Sequence, residues 1–486
     1  MLEYFYLYTI YSTILTLIFI LTINRIRILR IISFVFSVIT FAVTSTLIWN
    51  TDFSTISLKP FEITLSNYLE ISLIIGLDQC NIMFLLLTTV LFPIIILASW
   101  STIKYDFKFF YALIILSEFF LINVFLSFDL LFFYIWFEAT IIPIFIIVIN
   151  WGSRSNRTRA AMYLVLYTIF LSIPFLYSII YIYHLVGTTN VYFLTYNVVF
   201  DIKVQRYLMW FFFFAFGVKL PVFPLHLWLP EAHVEAPTCG SMLLAGILLK
   251  LGYYGFLKFF WQFFSLAIIE YTNILIAICT IGCVYSALIA LSQPDFKKII
   301  AYSSVSHMNF CLLGIISGEQ LGLLGSFLMA IGHGIVSTAL FFIVGIIYER
   351  AHTRVLDYYS GLSVLVPSIS FFMFIFTISN FGFPISLNFV AELLILVGIG
   401  SINLFILLLM GIYSVVSVGY NLWLYVRMFH GSLRTTVYKK PYKFNDLTTI
   451  ELKVLMPLCF YNIILCFCPN ILINNIIVFI LAINYK

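Results

Sequence analysis

Apolar runs of about twenty residues alternate with short polar segments from one end of the chain to the other. A run of that length crosses the ~30 Å hydrocarbon core of a bilayer as an α-helix. Fourteen spans are expected on this pattern: Leu2–Ile23, Ile31–Trp49, Asn81–Ser99, Phe109–Leu126, Leu130–Ile149, Ala161–Tyr183, Tyr207–Leu229, Gly240–Phe260, Tyr271–Leu291, Ile299–Ile316, Leu321–Ile347, Val364–Gly398, Ile402–Phe429 and Val454–Ile483. The two longest runs, the twelfth and the last, each have room for an internal break. Composition agrees with this reading: 63% of the residues are hydrophobic, only 9% are charged, and the mean hydropathy is +1.11. Soluble domains carry about 25% charged residues, so the chain is expected to be an all-α polytopic membrane protein.

Charge tests the count. Fourteen spans place both termini on one side and the odd loops, 1–2, 3–4 and so on, on the other. Most of the 25 Lys and Arg fall on the odd-loop side, led by the Arg154/Arg157/Arg159 cluster and the Arg427–Lys453 stretch. Positive residues mark the cytoplasmic or matrix face, so both termini are expected on the opposite side. The first run is too long for a signal peptide and no Arg- and Ser-rich transit segment precedes it, so it reads as a membrane helix.

Two of the spans are interrupted. The seventh contains Phe216-Gly217-Val218-Lys219-Leu220-Pro221, with Pro224 following, and the twelfth contains Phe381-Gly382-Phe383-Pro384 with Glu392 beyond it. Each places an aromatic–Gly–Pro break beside an ionisable group. Broken helices are tolerated at membrane depth only where the freed backbone packs on protein or lines a cavity. The two lie five spans apart, and that odd offset makes them cross in opposite directions. An inverted repeat of spans 4–8 and 9–13 is therefore expected, with the site between its halves.

The candidate site follows from the ionisable groups set in apolar runs, which are costly there and face protein or trapped water. Lys219 and Lys250 lie in the seventh and eighth spans, Glu138 in the fifth, His307 in the tenth, His333 in the eleventh and Glu392 in the twelfth. Burial disfavours both charges of a Glu–Lys pair and pairing favours both, so small changes nearby can move its proton. Together these groups suggest a hydrated polar axis running along the membrane plane. A static buried ion pair between Glu138 and Lys219 is the alternative. Glu118, in the fourth span, is left open, with a neighbouring subunit or a lipid-level contact as its candidate partners.

Other features narrow the class. The eight Cys are scattered through apolar runs without His or carboxylate partners and read as small buried hydrophobes rather than ligands. The stretch Trp228–Pro237 gathers two Glu and a His, and its Pro-bounded spacing favours a turn joining broken spans over a metal site. The three Arg between Ser153 and Arg159 read as a topology signal, not a nucleic-acid patch. No phosphate-binding loop or dinucleotide fingerprint is present.

Several stretches resemble the chain 4 family of NADH–ubiquinone oxidoreductase, the antiporter-like subunits of respiratory complex I. They are LPEAHVEAPT at Leu229–Thr238, LAGILLKLGYYG at Leu244–Gly255, FFYIWFEATIIPIF at Phe132–Phe145, IIAYSSVSHMN at Ile299–Asn309 and NFVAELL at Asn388–Leu394. GHGIVSTALFF and YERAHTRVLDYYSGL, within Leu328–Tyr359 and just past it, agree, and the resemblance runs from about Gly76 to Phe429. It implies that Glu138 and Lys219 form a coupled pair, that Lys250 is the central relay and that Glu392 is the terminal exchange site. His307 and His333 would stand on the connecting water path. It further implies proton translocation across the inner mitochondrial membrane and both termini in the intermembrane space. This chain would bind no cofactor; FMN, iron–sulfur clusters and ubiquinone are expected in other subunits. Partners would be the other membrane-arm subunits, especially chains 2 and 5, and membrane lipids. The expected domains are N-terminal helices over 1–108, a translocating core over 109–429, and a matrix loop with a C-terminal helix over 430–486. A subunit of a multisubunit sodium/proton antiporter would use the same axis.

Overall fold

The computed structural model describes residues 2–49, 61–66, 71–433 and 445–484. The basic stretch over 434–444, part of the charge asymmetry above, lies outside the described residues.

Twelve helices among the described residues are long and apolar enough to cross a membrane. They are the predicted spans one to six (Leu2–Thr22, Ile26–Trp49, Gln79–Thr102, Phe107–Leu126, Leu130–Trp151, Arg157–Val186), eight to eleven (Thr238–Phe263, Ser265–Ser292, Phe296–Ile316, Gln320–Ala351), thirteen (Leu404–Phe429) and fourteen (Thr449–Phe467). The two that remain are the two expected to be broken. Span seven is Ile202–Lys219 followed by Trp228–Glu235, and span twelve is Pro367–Asn380 followed by Leu387–Gly400. The last predicted run is also divided, at Cys468–Pro469, leaving Asn470–Asn484 as a short helix against spans three and eleven.

Polar residues at the apolar boundaries start the helices. The Asp129 carboxylate accepts from the amides of Leu131 and Phe132 at 2.9 and 3.1 Å, and Asp295 accepts from Lys297 N at 2.9 Å. Thr448 and Glu451 form a reciprocal capping box at the start of span fourteen. Such caps satisfy amides that a helix leaves free in its first turn.

The loops confirm the alternation of spans. Loop 5–6 meets loop 7–8 through Ser153 N–H to Glu235 O at 3.0 Å, and loop 11–12 reaches both through Arg354, which donates to Val234 O and to Ser153 Oγ. Gly361 N–H, also in loop 11–12, donates to His430 O in loop 13–14 at 3.1 Å. On the other face, Phe128 N–H in loop 4–5 donates to Ile74 O in loop 2–3, and Val191 N–H donates to Phe128 O, both at 2.8 Å. Odd loops touch odd loops and even loops touch even ones.

The even-loop face adds an element outside the all-helical reading, an antiparallel hairpin of Phe61–Ser66 and Ile71–Ile75. Its first strand, Phe-Glu-Ile-Thr-Leu-Ser, alternates apolar and polar residues, the period of a half-buried strand.

Spans eight, ten and eleven are almost wholly buried, whereas spans one, two, thirteen and fourteen keep wide apolar faces outward. The inner spans therefore carry the polar chemistry. Span six packs along both halves of broken span seven, and span eleven along both halves of broken span twelve. That is the correspondence an offset of five requires.

Candidate functional site

Lys219 closes the first half of span seven. Pro221 and Pro224 have no amide hydrogen, so the helical ladder stops there. Asn309 of span ten repairs the break: its Nδ2 donates to Pro221 O at 3.1 Å and its Oδ1 accepts from Phe223 N at 3.3 Å. Trp228 Nε1 donates to Val218 O at 2.9 Å, tying the second half back to the first. At a helix C-terminus the Lys219 ammonium meets the negative end of the helix dipole. Its Nζ donates to Phe137 O, lies 3.3 Å from the Phe137 ring centroid and reaches Thr140 Oγ1 at 3.5 Å. These acceptors sit where span five changes from Leu130–Ala139 to Ile141–Trp151.

Glu138 lies beside this point, half-buried, with Oε1 enclosed and without a hydrogen-bond partner. It is near enough for its charge to act on Lys219, yet the five ion pairs among the described residues do not include these two. No direct hydrogen bond joins the expected pair: backbone and ring take the ammonium, while the Glu138 carboxylate lies beside it, interacting with Ser172 and, through its charge, with Lys219.

Lys250 is fully buried in span eight, directly after a π-helical segment, Leu244–Leu248. Such segments widen one turn and are frequent at functional sites. Lys250 Nζ donates to Ala245 O within that segment at 2.6 Å and lies 3.0 Å from His333 Nδ1. The His333 ring is 5.7 Å, centroid to centroid, from His307, whose Nδ1 lies 3.1 Å from Tyr413 Oη. Lys250, His333, His307 and Tyr413 thus form one file through spans eight, eleven, ten and thirteen. His307 Nε2 is buried without a protein partner, and buried polar atoms of this kind are commonly served by water.

Glu392 sits half-buried in the second half of span twelve with Oε1 enclosed and unpartnered. Gly382 backs it at φ +71°, and a Cβ built there would lie 2.4 Å from Glu392 Oε2. The break is steadied by Asn388 Nδ2 donating to Ser379 O at 3.0 Å and by Asn462 Nδ2 donating to Ser379 Oγ at 2.8 Å.

The structure thus brings Lys250, His333 and His307 together, sets Lys219 beside Glu138 without closing the pair, and leaves Glu392 at the far break. Three sequence readings are corrected. Glu118 is not at a lipid or subunit surface; it is fully buried, with Oε1 2.6 Å from Thr40 Oγ1 of span two. Trp228–Glu235 is a helix rather than a turn, and its His233 is buried flat against Phe341 at 4.5 Å. Cys468 is exposed and Cys466 partly so, while the other six Cys are buried. Lys258 and Lys297, absent from the sequence reading, are two further buried lysines of the inner spans; Lys258 pairs with Asp78, and Lys297 Nζ donates to Ala236 O at 2.7 Å. Tyr413 was missed as well, one of 31 Tyr in the chain. The period-seven spacing to Tyr420, with Ser417 between, was its only signal.

Two broken helices in inverted repeats, with ionisable groups at the breaks and a buried file between them, define a membrane ion-translocating module. Residues 127–417 match the family described as NADH:quinone oxidoreductase/Mrp antiporter, TM, and the chain belongs to that family. Among its relatives, NADH-ubiquinone oxidoreductase chain 4 of Chondrus crispus is 42% identical over 403 residues, 83% of this chain and 81% of that protein. Chain 4 of Arabidopsis thaliana is 40% identical over 435 residues, 89% of this chain and 87% of that protein. The fold is similar to a chain of respiratory complex I from Thermus thermophilus with bound NADH, at a TM-score of 0.87 and 24% identity over 99% of each chain. It is also similar to a chain of the Mrp complex from Dietzia sp. DQ12-45-1b, at 0.86 and 17% identity over 99% of each.

Proposed function

We propose that this chain is a core membrane-arm subunit of respiratory complex I, translocating protons across the inner mitochondrial membrane while other subunits pass electrons from NADH to ubiquinone. Its chain 4 relatives support this reading, and the observation that carries it is the buried file Lys250–His333–His307–Tyr413. The chain holds no cofactor of its own; FMN, iron–sulfur clusters and ubiquinone belong to other subunits. Its partners are the neighbouring antiporter-like chains 2 and 5 and the surrounding lipid. Residues 109–429 form the translocating core, 1–108 the N-terminal helices, and 430–486 the matrix loop and C-terminal helix. The basic odd loops face the matrix and both termini face the intermembrane space.

In this mechanism Glu138 and Lys219 are the input. A charge change in the adjoining subunit draws Lys219 toward Glu138 or releases it to Phe137 O and Thr140. The shift alters the field at Lys250, which hands its proton through His333 and His307 toward Glu392 for exchange with the far side. Moving one charge against ~150–180 mV costs about 3.5–4 kcal/mol, roughly three pKa units at 1.36 kcal/mol each. Separating or reuniting one ion pair about 4 Å apart changes the energy by about 4 kcal/mol at an effective dielectric of about 20, which is of that size.

The same axis would serve a multisubunit sodium/proton antiporter, and one experiment divides the two. Sealed vesicles holding the assembled complex are given a sodium gradient without NADH. No proton movement is expected until NADH is added; exchange driven by sodium alone would favour the antiporter.

A further inference from the structure

Lys258 lies eight residues beyond Lys250 in span eight, roughly 12 Å along the helix, within a second π segment, Phe256–Phe260. Of the five ion pairs among the described residues, Lys258–Asp78 alone is enclosed on both sides: the side chains are 2% and 7% exposed, against 13% and 14% for the next, Arg350–Glu451. Lys258 Nζ donates to Asp78 Oδ2 and lies 3.5 Å from the Phe128 ring centroid. Asp78 belongs to loop 2–3 and Phe128 to loop 4–5, so the pair closes the even-loop face. It is held from behind by Asn81, whose Oδ1 accepts from Asp78 N at 2.7 Å and whose Nδ2 donates to Gly76 O and Phe125 O at 3.0 and 2.8 Å.

Tyr254, four residues from each lysine along span eight and 5.9 Å by ring centroid from Lys258 Nζ, centres an aromatic layer. Tyr254 packs against Phe84, Phe125, Phe133 and Phe259 with centroids 5.3–6.2 Å apart, and all five rings are fully buried. The two lysines differ in one respect. Lys250 has a carbonyl and an imidazole as partners; Lys258 has a carboxylate. In the Lys258 pair each charge is balanced by its partner at close range, whereas Lys250 has only neutral groups beside it. Removing one partner strands a buried charge that must draw in water, whereas removing both leaves no charge to hydrate; the buried Tyr254 Oη is the single polar atom of the five rings.

We propose that the Asp78–Lys258 pair and the aromatic layer above it seal the even-loop face beneath Lys250, so that a proton on Lys250 passes sideways to His333 and cannot leave directly. The seal rests on the proton-translocating reading above. In that reading it makes Lys258 and Asp78 positioning residues for the direction of transfer.

The test is a double-mutant cycle in sealed vesicles carrying the assembled complex, read as passive proton conductance and as protons taken up per NADH oxidised. Asp78→Asn and Lys258→Met singly are expected to raise conductance several-fold and lower the proton yield. The double variant is expected to return both toward wild type. Cys80, buried beside the pair, should react with a membrane-impermeant maleimide in the single variants only. Wild type that pumps, with single variants as tight as wild type, would overturn the seal alone. Wild type that takes up no protons would overturn the functional reading and the seal with it. Should neither single variant assemble, Cys80 in wild type decides: unchanged labelling during NADH turnover supports the seal, and a rise during turnover overturns it.

Discussion

Lys250 Nζ and His333 Nδ1 stand 3.0 Å apart, and among the described residues no carboxylate is hydrogen-bonded to either. Two cations at that distance in a low-dielectric interior repel by several kcal/mol, so the two groups do not carry a charge each. Replacing His333 by Asn keeps a side chain that accepts from Lys250 but cannot become cationic. His333→Asn is expected to leave the complex assembled and to cut NADH-driven proton uptake at least tenfold. Normal uptake would reduce His333 to a packing residue.

Asn309 holds broken span seven from outside it. Asn309→Ala leaves Pro221 O and Phe223 N without their buried partner, at about 1–3 kcal/mol for each unsatisfied group. The expected outcome is a lower unfolding temperature of the assembled complex. Gly282 tests the same contact without touching Asn309 chemically, because a Cβ there would lie 2.5 Å from Asn309 Oδ1. Gly282→Ala should reproduce the effect in direction.

Gly382 leaves room for Glu392. A side chain at φ +71° is strained for any L residue, and its Cβ would overlap the carboxylate. Gly382→Ala is expected to lower proton uptake and turnover together, with assembly retained. Unaltered kinetics in that variant would place the exchange step elsewhere.

Asp446, in the odd loop before span fourteen, caps a different helix. Burial alone would raise its pKa, but the amides of Ser368, Leu447 and Ile369 outweigh that and hold it below the usual aspartate value. A lowered folded value stabilises above the unfolded pKa of about 3.9 and loses that contribution as pH falls through the folded one. Asp446→Asn should therefore speed hydrogen exchange at Ser368 and Ile369 at neutral pH. The difference from wild type should shrink below about pH 4; a constant difference would mean charge plays no part.

How legible was this in the sequence? The spans were, because a bilayer allows one solution to a twenty-residue apolar run, and the loop contacts keep odd with odd and even with even. The two breaks were, because Gly and Pro beside a charge are conspicuous against Phe and Leu. What escaped was partnership. The pattern sets Lys219 with Glu138, and the structure places the two side by side; what it could not show is that the ammonium's hydrogen bonds go to Phe137 O and Thr140, because backbone acceptors leave no trace in side-chain patterns. Asp78 and Lys258 lie 180 residues apart, and Asp78 falls just outside an apolar run, where a carboxylate reads as a helix start. Arg354 was hidden likewise: it is fully buried while its neighbours in YERAHTR look like an exposed loop.

The central claim is that the buried file centred on Lys250 carries the translocated proton. It is tested most directly by NADH-driven proton uptake in sealed vesicles carrying Lys250→Met, with the complex shown to be assembled and able to oxidise NADH. A sharply lower proton yield per NADH is expected, with slowed turnover where coupling is tight. Full uptake from the assembled variant would contradict it.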